Sequence, residues 1–547
     1  MNAAELMVKS LENEGVQYVF GVPGEENLAL LQALSHSTIK FIVTRHEQTA
    51  GFMAATVGRL TGSPGVCLTT LGPGATNAIT SSAFGLLGGM PVVFITGQKP
   101  IKKNKQGHFQ IIDTVELFKP VTKFSKQIVN ANSVAASVRE AFRLAREERP
   151  GSVHLELPED VADEETNGSP FPVTQVRRPV AEDKALNLAV KMIEKAKFPL
   201  IIIGAGGNRK RTSKSLTEFI NKTRIPFIPT QIGKGVVDER NPYYLGTAAL
   251  SDNDYVHCAL NKADLVINVG HDIIEKPPFL MKRSDSRKVI HINFFSAAMD
   301  NIYFPQLEVV GDIATTIEEL NSKIKIQPHW DFSYFMKLRN YLKNNLKSIV
   351  KDGRYPYTPQ QVVKTVRGVM KDDDIVALDN GMFKIWFARS YETRCPNSLL
   401  LDNALATMGA GLSSAMTAKI IFPQKKVLCV SGDGGFMMNS QDLETAKRLG
   451  LDLVILILED NGYGMIKWKQ KAAGLDDFGL DFNNPDFEKY AKAYGVKGYK
   501  ISRSGQLEKL LKKVINQKGI HLISVPIDYQ DNQKILVDEL KKKTCLL

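Results

Sequence analysis

Short apolar runs alternate along the chain with stretches whose apolar residues recur at helical spacing. The first third contains "YVFGVPG", "FIVTRHE", "GVCLTTLGPG", "PVVFITG" and "GSVHLELPEDV". The middle third contains "PLIIIGAGG", "PFIPTQIGKG", "ADLVINVGHD", "KVIHINFF" and "LEVVGD", and the last third contains "DIVALDNG", "KVLCVSGDGG", "LVILILEDNGYG" and "HLISVPIDY". Strands separated by helices predict doubly wound parallel α/β sheets. Such sheets bind ligands at the carboxyl ends of their strands, where this chain places its glycine-rich turns.

Two interruptions divide this pattern into three parts. Residues 166–182, "TNGSPFPVTQVRRPVAE", have no periodicity and are predicted to be a linker. A lysine-rich helical stretch at about 329–352 leads to Pro356 and Pro359. We therefore predict three α/β domains, at residues 1–165, 183–330 and 355–547.

With 547 residues, 43% of them hydrophobic and 23% charged, the chain has the composition of a globular protein. Its net charge of +12 would suit nucleic acid or an anionic membrane, but the lysines are spread out and accompany no recognition module. No apolar run approaches the roughly 20 residues that span a bilayer. The N-terminal "MNAAELMVKSLENEG" has the pattern of an amphipathic helix rather than a signal peptide. We expect a cytoplasmic protein that binds neither nucleic acid nor membrane.

The five cysteines are an odd number, lie far apart and form no CxxC pair. This spacing argues against a disulfide framework and against a zinc site. Cys429, inside the apolar run "VLCV", is predicted to be a core residue.

The stretch "VSGDGGFMMNS", Val430–Ser440, places one carboxylate, Asp433, among glycines. A predicted strand precedes it, and Asn439 is predicted to cap a helix that ends at Gly450. Backbone N–H groups at such a junction bind anions, whereas the carboxylate repels them. A divalent cation that bridges the carboxylate and a phosphate reconciles the two.

A second carboxylate, Asp460, lies 27 residues downstream in "EDNGYGM", after the predicted strand Leu453 to Leu458. Strand ends joined through one helix can lie at the same edge of a parallel sheet, so the two carboxylates can meet there. Two carboxylates and the backbone carbonyl of Gly462 suit Mg²⁺, which keeps its other positions for phosphate and water. Turns are rich in Asp and Gly for other reasons, but the paired spacing favours a metal site.

This GDG turn, followed by "GYGM", resembles the cofactor motif of thiamine-diphosphate-dependent enzymes. "FGVPGEEN", "RHEQTAGFMA", "TTLGPGATN" and "RPGSVHLELPEDV" resemble the pyrimidine-binding domain of the acetolactate synthases, and "TQIGKG", "ADLVINVG" and "VVGD" resemble their central domain. "DNGMFKIWFAR", "ATMGAGLSSA" and "VPIDYQDN" resemble the catabolic acetolactate synthases in particular. The resemblance covers essentially the whole chain. It implies the thiamine-diphosphate-binding fold, with the pyrimidine-binding domain first and the diphosphate-binding domain last.

The resemblance implies a set of residues around thiamine diphosphate and Mg²⁺. Glu47, in "TRHEQ", matches the glutamate that shifts the cofactor's aminopyrimidine to its imino tautomer. Met408, in "ATMG", matches the residue that bends the cofactor. Asp433, Asp460 and the carbonyl of Gly462 would hold the metal. The other matched cofactor-binding positions are Gly381, Met382, Gly432, Gly434, Gly435, Tyr463, Gly464 and Met465.

The resemblance also implies that two molecules of pyruvate give 2-acetolactate and CO₂. Simple 2-keto-acid decarboxylases usually carry a His-His pair, whereas "QGHFQIID" has His108 alone. Phe109 and Gln110 match the Phe-Gln pair of the acetolactate synthases, where Gln110 could donate a hydrogen bond to a developing oxyanion. Lys123, in "PVTK", matches a lysine that would help an acceptor carboxylate, and a solvated lysine is the alternative. Another thiamine-diphosphate decarboxylase or carboligase stays open as a second function.

Two features depart from the biosynthetic acetolactate synthases. Those that prefer 2-ketobutyrate carry a tryptophan four residues after the "GM" methionine. In this chain Trp468 lies three residues after Met465, one place earlier than in those enzymes, which leaves the acceptor preference open. "GHDIIEKPP" resembles the flavin-free catabolic form, so FAD is left open but not favoured. The resemblance implies a homodimer, or a dimer of dimers, whose active sites are shared between subunits.

Two other functional classes are disfavoured. A catalytically silent binding protein on this fold would lack Glu47, Asp433 or Asp460, and all three are present. A Rossmann-type dehydrogenase would carry GxGxxG, and "GAGGNRK" at 204–210 lacks its third glycine.

Overall fold

The computed structural model describes residues 1–102, 107–174, 178–250, 254–272, 274–275, 281, 286–299, 301–348, 353–540 and 545. Within them lie three separate parallel sheets with helices between the strands. The predicted fold class, three parallel-sheet α/β domains, is confirmed.

The first sheet has the strand order β2-β1-β3-β4-β6-β5 in the described residues. Its strands are β1 (Tyr18–Gly21), β2 (Lys40–Val43), β3 (Gly65–Thr69), β4 (Val92–Gln98), β5 (Ser125–Gln127) and β6 (Ser152–Pro158). The accompanying helices are α1 (Ala3–Asn13), α2 (Leu28–Ser35), α3 (Glu47–Thr61), α4 (Gly72–Asn77), α5 (Ile79–Leu87), α6 (Thr114–Phe118), α7 (Val134–Arg146) and α8 (Glu159–Ala162). The predicted N-terminal helix is present as α1, which begins with a capping box between Asn2 and Glu5.

The central sheet has the order β11-β10-β9-β7-β8 in the described residues. Its strands are β7 (Pro199–Ile203), β8 (Phe227–Pro229), β9 (Leu265–Val269), β10 (Lys288–Asn293) and β11 (Leu307–Val310). The helices of this segment are α9 (Asp183–Lys195), α10 (Lys210–Thr223), α11 (Tyr255–Lys262), α12 (Ile313–Lys323) and α13 (Ser333–Ser348). The strand order reverses between β7 and β9, which is where doubly wound sheets open a crevice.

The third sheet has the order β13-β12-β14-β15-β17-β16 in the described residues, which repeats the topology of the first. Its strands are β12 (Ile375–Leu378), β13 (Leu399–Leu400), β14 (Val427–Gly432), β15 (Leu453–Glu459), β16 (Lys497–Lys500) and β17 (Ile520–Pro526). The helices are α14 (Pro359–Val369), α15 (Phe383–Ser390), α16 (Ala410–Ile421), α17 (Asp433–Met438), α18 (Leu443–Arg448), α19 (Gly464–Ala472), α20 (Phe487–Ala493) and α21 (Gln506–Val514). The order reverses between β12 and β14, next to Asp433.

One hydrophobic core joins the first and third sheets. Helices α3 and α16 pack against each other, and their buried residues, such as Phe52 and Ala415, belong to a single cluster. The hydroxyl oxygens of Thr56 and Ser414 lie 3.1 Å apart inside it. Both helices begin at the ligand edge of their own sheet, so this packing fixes the positions of the two edges of one chain relative to each other.

A short helix that the sequence does not predict, α17, precedes the predicted one. Asn439 lies at the predicted N-cap position, before a 3₁₀ turn at Ser440–Asp442 that leads into α18, but its side chain makes no capping hydrogen bond. The Asn439 amide instead donates to Oε1 of Gln48, at 2.9 Å, and to the carbonyl of Gly409, at 3.1 Å. The side chain that the local pattern predicts as a helix cap therefore forms a contact between domains instead.

The prediction from cysteine spacing is wrong at one point. Cys258, on α11, and Cys545 form a disulfide although 287 residues separate them. Leu540 packs in the same core as α11, so the C-terminal segment crosses from the third domain to the central one. Cys429 is buried in β14, as predicted.

Candidate active site

The carboxylate of Asp433 lies buried where β14 ends. Its Oδ2 accepts hydrogen bonds from the N–H groups of Asp460, at 3.1 Å, and Asn461, at 2.7 Å. The amide of Asn484 donates to the same oxygen at 2.7 Å, and the N–H of Gly434 donates to Oδ1 at 2.8 Å. These bonds hold the loops after β14 and β15 against each other.

Asp460 follows β15 directly and lies close to Asp433. Burial, and after it the negative charge of Asp433, raises the pKa of Asp460 to about 7. A cation between the two carboxylates would favour the charged form of both. The loop continues to Gly462, the third predicted ligand; carboxylate and carbonyl oxygens are donors of the kind that Mg²⁺ prefers. The described residues contain no group of three or more His, Cys, Asp or Glu side chains placed to hold a metal.

The loop "GYGM" lies against this pair. A Cβ on Gly464 would lie 2.7 Å from Oδ2 of Asp460, so the close approach requires glycine there. The ring of Tyr463 meets the ring of Phe482 edge-on, with centroids 5.1 Å apart. Met465 packs on the third domain's core as part of α19.

Trp468, also on α19, is held by the C-terminal segment. Its indole N–H donates to Oε1 of Gln533 at 2.9 Å, and the side chain packs on the third domain's core. Trp468, one place before the position that the resemblance links to acceptor preference, is therefore held by a residue 65 positions further along the chain.

The other predicted diphosphate positions surround the same edge. Gly381 and Met382 follow β12, with the ring of Phe383 beside both Gly381 and Gly432. A Cβ on Gly435 would lie 3.2 Å from the carboxylate of Asp379. The remaining predicted positions here are Gly434, packed against Tyr463 and Phe482, and half-buried Met408, just before α16.

Glu47 lies at the ligand edge of the first sheet, as the first residue of α3. Its Oε2 accepts a hydrogen bond from the amide of Asn77 at 3.0 Å, and its Oε1 lies beside Gly74. The next residue, Gln48, makes the contact with Asn439 in the third domain. Within one chain the Glu47 carboxylate is thus bonded to its own domain, while its neighbour is bonded to the domain that carries Asp433.

Phe109 and Gln110 lie at this same edge, after β4. The carbonyl of Gln110 packs against Gly72, the first residue of α4 after β3, and Gln110 has a φ of 57°. The side chain of Phe109 is 63% exposed. The structure therefore brings Glu47, Phe109 and Gln110 to one edge of the first sheet.

Lys123 is not brought to that edge. Its N–H donates to the carbonyl of Ser152, at the start of β6, so it lies at the opposite end of the sheet. The ammonium donates to the carbonyls of Leu144 and Glu147, each at 2.6 Å, at the C-terminal end of α7. We leave Lys123 out of the site that we propose.

Two contributors were not predicted from the sequence, buried Asp379 and half-buried Asn484. Asp379 directly follows the apolar run "IVAL", just as Asp433 and Asp460 follow predicted strands. This shared position after a strand could have indicated Asp379 from the sequence. Asn484 lies in a segment without helix or strand and contacts Asp433 only through tertiary structure.

Comparisons with known proteins match each of the three domains. The model of the thiamine pyrophosphate enzyme N-terminal TPP binding domain matches residues 1–117, the central domain matches 186–320, and the C-terminal TPP binding domain matches 379–525. An acetolactate synthase of Bacillus subtilis (strain 168) is 33% identical over 551 residues, which cover 99% of this chain and 95% of that protein. The chain belongs to the acetolactate synthase family of thiamine pyrophosphate enzymes. The resemblance seen in the motifs is confirmed.

Other members of the family are similar over equal lengths. A catabolic acetolactate synthase of Raoultella terrigena is 33% identical over 98% of this chain and 96% of its own length. The large subunit of acetolactate synthase isozyme 2 of Escherichia coli (strain K12) is 31% identical over 97% of this chain and 96% of its own. Relatives named catabolic and relatives named large subunits are almost equally similar to this chain. Overall sequence identity therefore does not show which of the two kinds this chain resembles more.

None of the helices in the described parts of the chain combines the length and apolar character of a membrane-spanning segment.

Proposed function

We propose that this enzyme converts two molecules of pyruvate into 2-acetolactate and CO₂, using thiamine diphosphate and Mg²⁺. The observation that carries the proposal is the pair of carboxylates, Asp433 and Asp460, in a chain similar from end to end to proteins named acetolactate synthase. One pyruvate loses its carboxylate as CO₂, and its remaining two carbons join the carbonyl carbon of the second.

The residues at the two sheet edges divide this work. When bound, thiamine diphosphate supplies the electron sink that decarboxylation of a 2-keto acid needs. Asp433, Asp460 and the Gly462 carbonyl would hold Mg²⁺ against the diphosphate. The Glu47 carboxyl would hold a proton at a pyrimidine nitrogen, and the Gln110 amide would donate to the substrate oxygen on which negative charge develops.

A product assay tests this proposal. Purified protein is incubated with pyruvate, thiamine diphosphate and Mg²⁺, and 2-acetolactate is separated from acetaldehyde. We expect one 2-acetolactate for each CO₂, and no product when thiamine diphosphate is omitted. Acetaldehyde as the main product would instead support a simple decarboxylase.

We further propose that the enzyme needs no FAD. The crevice at the ends of β7 and β9 has a cavity volume of about 30 Å³, far below the ~300–1,000 Å³ typical of ligand pockets. An ion pair between Arg149 and Asp272 lies in its wall, and Arg149 also donates to the carbonyl of Leu86 at 2.6 Å. Part of "GHDIIEKPP", at 273 and 276–278, lies outside the described residues.

The flavin proposal has a direct readout. Purified protein should lack the visible absorbance of an oxidised flavin and should keep full activity without added FAD. Flavin bound in stoichiometric amounts, or activity that depends on FAD, would contradict it.

We also propose a homodimer, or a dimer of dimers, with sites shared between subunits. Large apolar side chains are exposed at or after the carboxyl ends of strands in the first and third sheets. On the first they are Leu28, Val43, Ile101 and Phe109, and on the third Met437, Met438, Ile466, Leu475 and Phe478. If the edge of the first sheet in one chain packed on the edge of the third sheet in a second copy, both apolar surfaces would be buried. Glu47 of one chain would then lie beside the metal site of its partner. A cytoplasmic location remains part of this proposal.

A further inference from the structure

The loop that carries Met408 has an unfavourable backbone. Ala406 has a φ of 55° and Gly409 a φ of 88°, so two residues within one turn of Met408 lie in the left-handed region. For alanine this conformation costs free energy and persists only where the surroundings impose it. The loop is therefore held in place by other groups.

Those groups grip the residues on both sides of Met408. After it, the N–H of Gly409 donates to both carboxylate oxygens of Asp379, at 2.9 and 3.1 Å. Before it, the carbonyl of Thr407 accepts a hydrogen bond from the amide of Asn380 at 2.6 Å. Two consecutive residues at the end of β12 thus fix the backbone of Met408 from both sides.

The same pair is tied to the metal loop. The hydroxyl of Ser431, two residues before Asp433, donates to Oδ2 of Asp379 at 3.0 Å. The N–H of Asn380 donates to Oδ1 of Asp379 at 2.7 Å. Asp379 is buried, and its carboxylate therefore joins the Met408 loop to the end of β14 without contact with solvent.

A buried lysine sets the direction of the Asn380 amide. The ammonium of Lys384 donates to Oδ1 of Asn380 at 2.6 Å and to the carbonyl of Asp402 at 2.9 Å. Because the Lys384 ammonium contacts the oxygen of the Asn380 amide, the NH₂ group of that amide faces Thr407. Asp402 in turn accepts hydrogen bonds from the N–H groups of Ala404 and Ala406, inside the loop.

We propose that Asp379 and Asn380 are positioning residues that fix Met408 relative to the metal loop, so that the bound cofactor takes its bent conformation. The inference rests on the proposed function and adds two residues to it. A simple helix cap does not account for the arrangement. The bond from Gly409 to Asp379 lies at the start of α16, but the bond from Asn380 to Thr407 lies before the helix and caps nothing.

The test compares Asn380→Ala and Asp379→Asn with a matched control. Asp374 is also a buried carboxylate that accepts backbone hydrogen bonds, from the N–H groups of Lys371 and Lys426, but it precedes β12 at the other end. Asp374→Asn therefore removes a similar interaction from the same strand, away from the site.

Two properties are measured at each position: the affinity for thiamine diphosphate with Mg²⁺, by calorimetry, and the rate of hydrogen–deuterium exchange at the thiazolium C2 of the cofactor at saturation. We expect Asn380→Ala and Asp379→Asn to slow this exchange about 10- to 100-fold, because a small displacement of a positioning group costs that much. Affinity should change much less, and Asp374→Asn should leave the exchange rate unchanged.

Unchanged exchange at saturation in both site variants would overturn the inference, as would equal slowing in Asp374→Asn. If Asp379→Asn does not fold, Asn380→Ala, which removes a smaller group, decides the question by itself. The proposed function fails separately, if wild-type protein binds no thiamine diphosphate or does not accelerate the exchange.

Discussion

Three aspartates stand at the ends of three neighbouring strands in the third sheet, and their surroundings give them different tasks. Asp379, after β12, accepts four hydrogen bonds from N–H and O–H donors and binds loops together. Asp433, after β14, is held by the backbone of the next strand's loop. Asp460, after β15, lies near the charge of Asp433. The same residue type thus joins loops after β12 and, in our proposal, binds the metal after β14 and β15.

Removal of the Asp433 carboxylate should prevent cofactor binding. Asp433→Ala deletes a proposed metal ligand and the acceptor for the loop after β15, so affinity for thiamine diphosphate with Mg²⁺ should fall by more than ~10-fold. Calorimetry measures this, with Asp477→Ala, a partly exposed residue paired with Lys467, as the control. Unchanged affinity in Asp433→Ala would contradict the assignment.

A buried glutamate of the central domain predicts a pH dependence of stability. Glu275 accepts hydrogen bonds from the hydroxyl of Thr230, at 2.7 Å, and the N–H of Ala205, at 3.0 Å. Burial nevertheless raises its pKa from 4.5 to about 7. Between these values the folded state binds more protons than the unfolded one, so Glu275 lowers the free energy of unfolding as pH rises, up to about pH 7.

Glu275→Gln removes this titration. Relative to wild type, the variant should therefore gain stability as pH rises from about 4.5 to about 7, by up to about 3 kcal/mol. Thermal unfolding followed across this range measures the difference. A constant difference in melting temperature between the two proteins would show that Glu275 does not titrate in this window.

At the scale of elements, the site depends on how helices begin. Helix α3 begins at Glu47 and α16 begins just after Met408, and the two helices share one core. Asn439 connects them, because its amide donates to Gln48 on one side and to Gly409 on the other. Packing of two apolar helix faces thus sets the relative position of the two ligand edges.

At the scale of the whole molecule, the shared-site proposal predicts complementation. Glu47→Ala and Asp433→Ala homomers should each be nearly inactive, the first because its proton-holding group is lost, at a cost of roughly 10²–10⁴-fold, and the second because it fails to hold the cofactor. A mixed dimer carries both defects in one site and leaves the other intact. Co-expressed and purified as a verified heterodimer, it should recover about half of wild-type activity if the sites act independently. If activity did not recover, either both residues would act in a site formed by one chain or the two sites would be strongly coupled.

The disulfide ties the C-terminal segment to the central domain. Of the five cysteines, three are free in the structure: Cys67, Cys395 and Cys429. Protein denatured without reductant should therefore titrate with three thiols, and after reduction with five. Because the bond closes a long loop, Cys545→Ser should lower the melting temperature measured without reductant. Five thiols before reduction would show that the bond does not form in solution.

The sequence alone determined the alternation of strands and helices, the strand-end positions of Asp433 and Asp460, and the family. These features are local, since periodicity and turn chemistry act over a few residues and a single crossover joins the two carboxylates. Only the tertiary structure decided that Asn439 bridges domains instead of capping a helix, that Asn484 reaches Asp433, and that Lys123 caps α7 away from the site. It also decided the pairing of Cys258 with Cys545. In each of these cases the partners are distant in sequence, so packing of whole elements, and not the local pattern, brings them together.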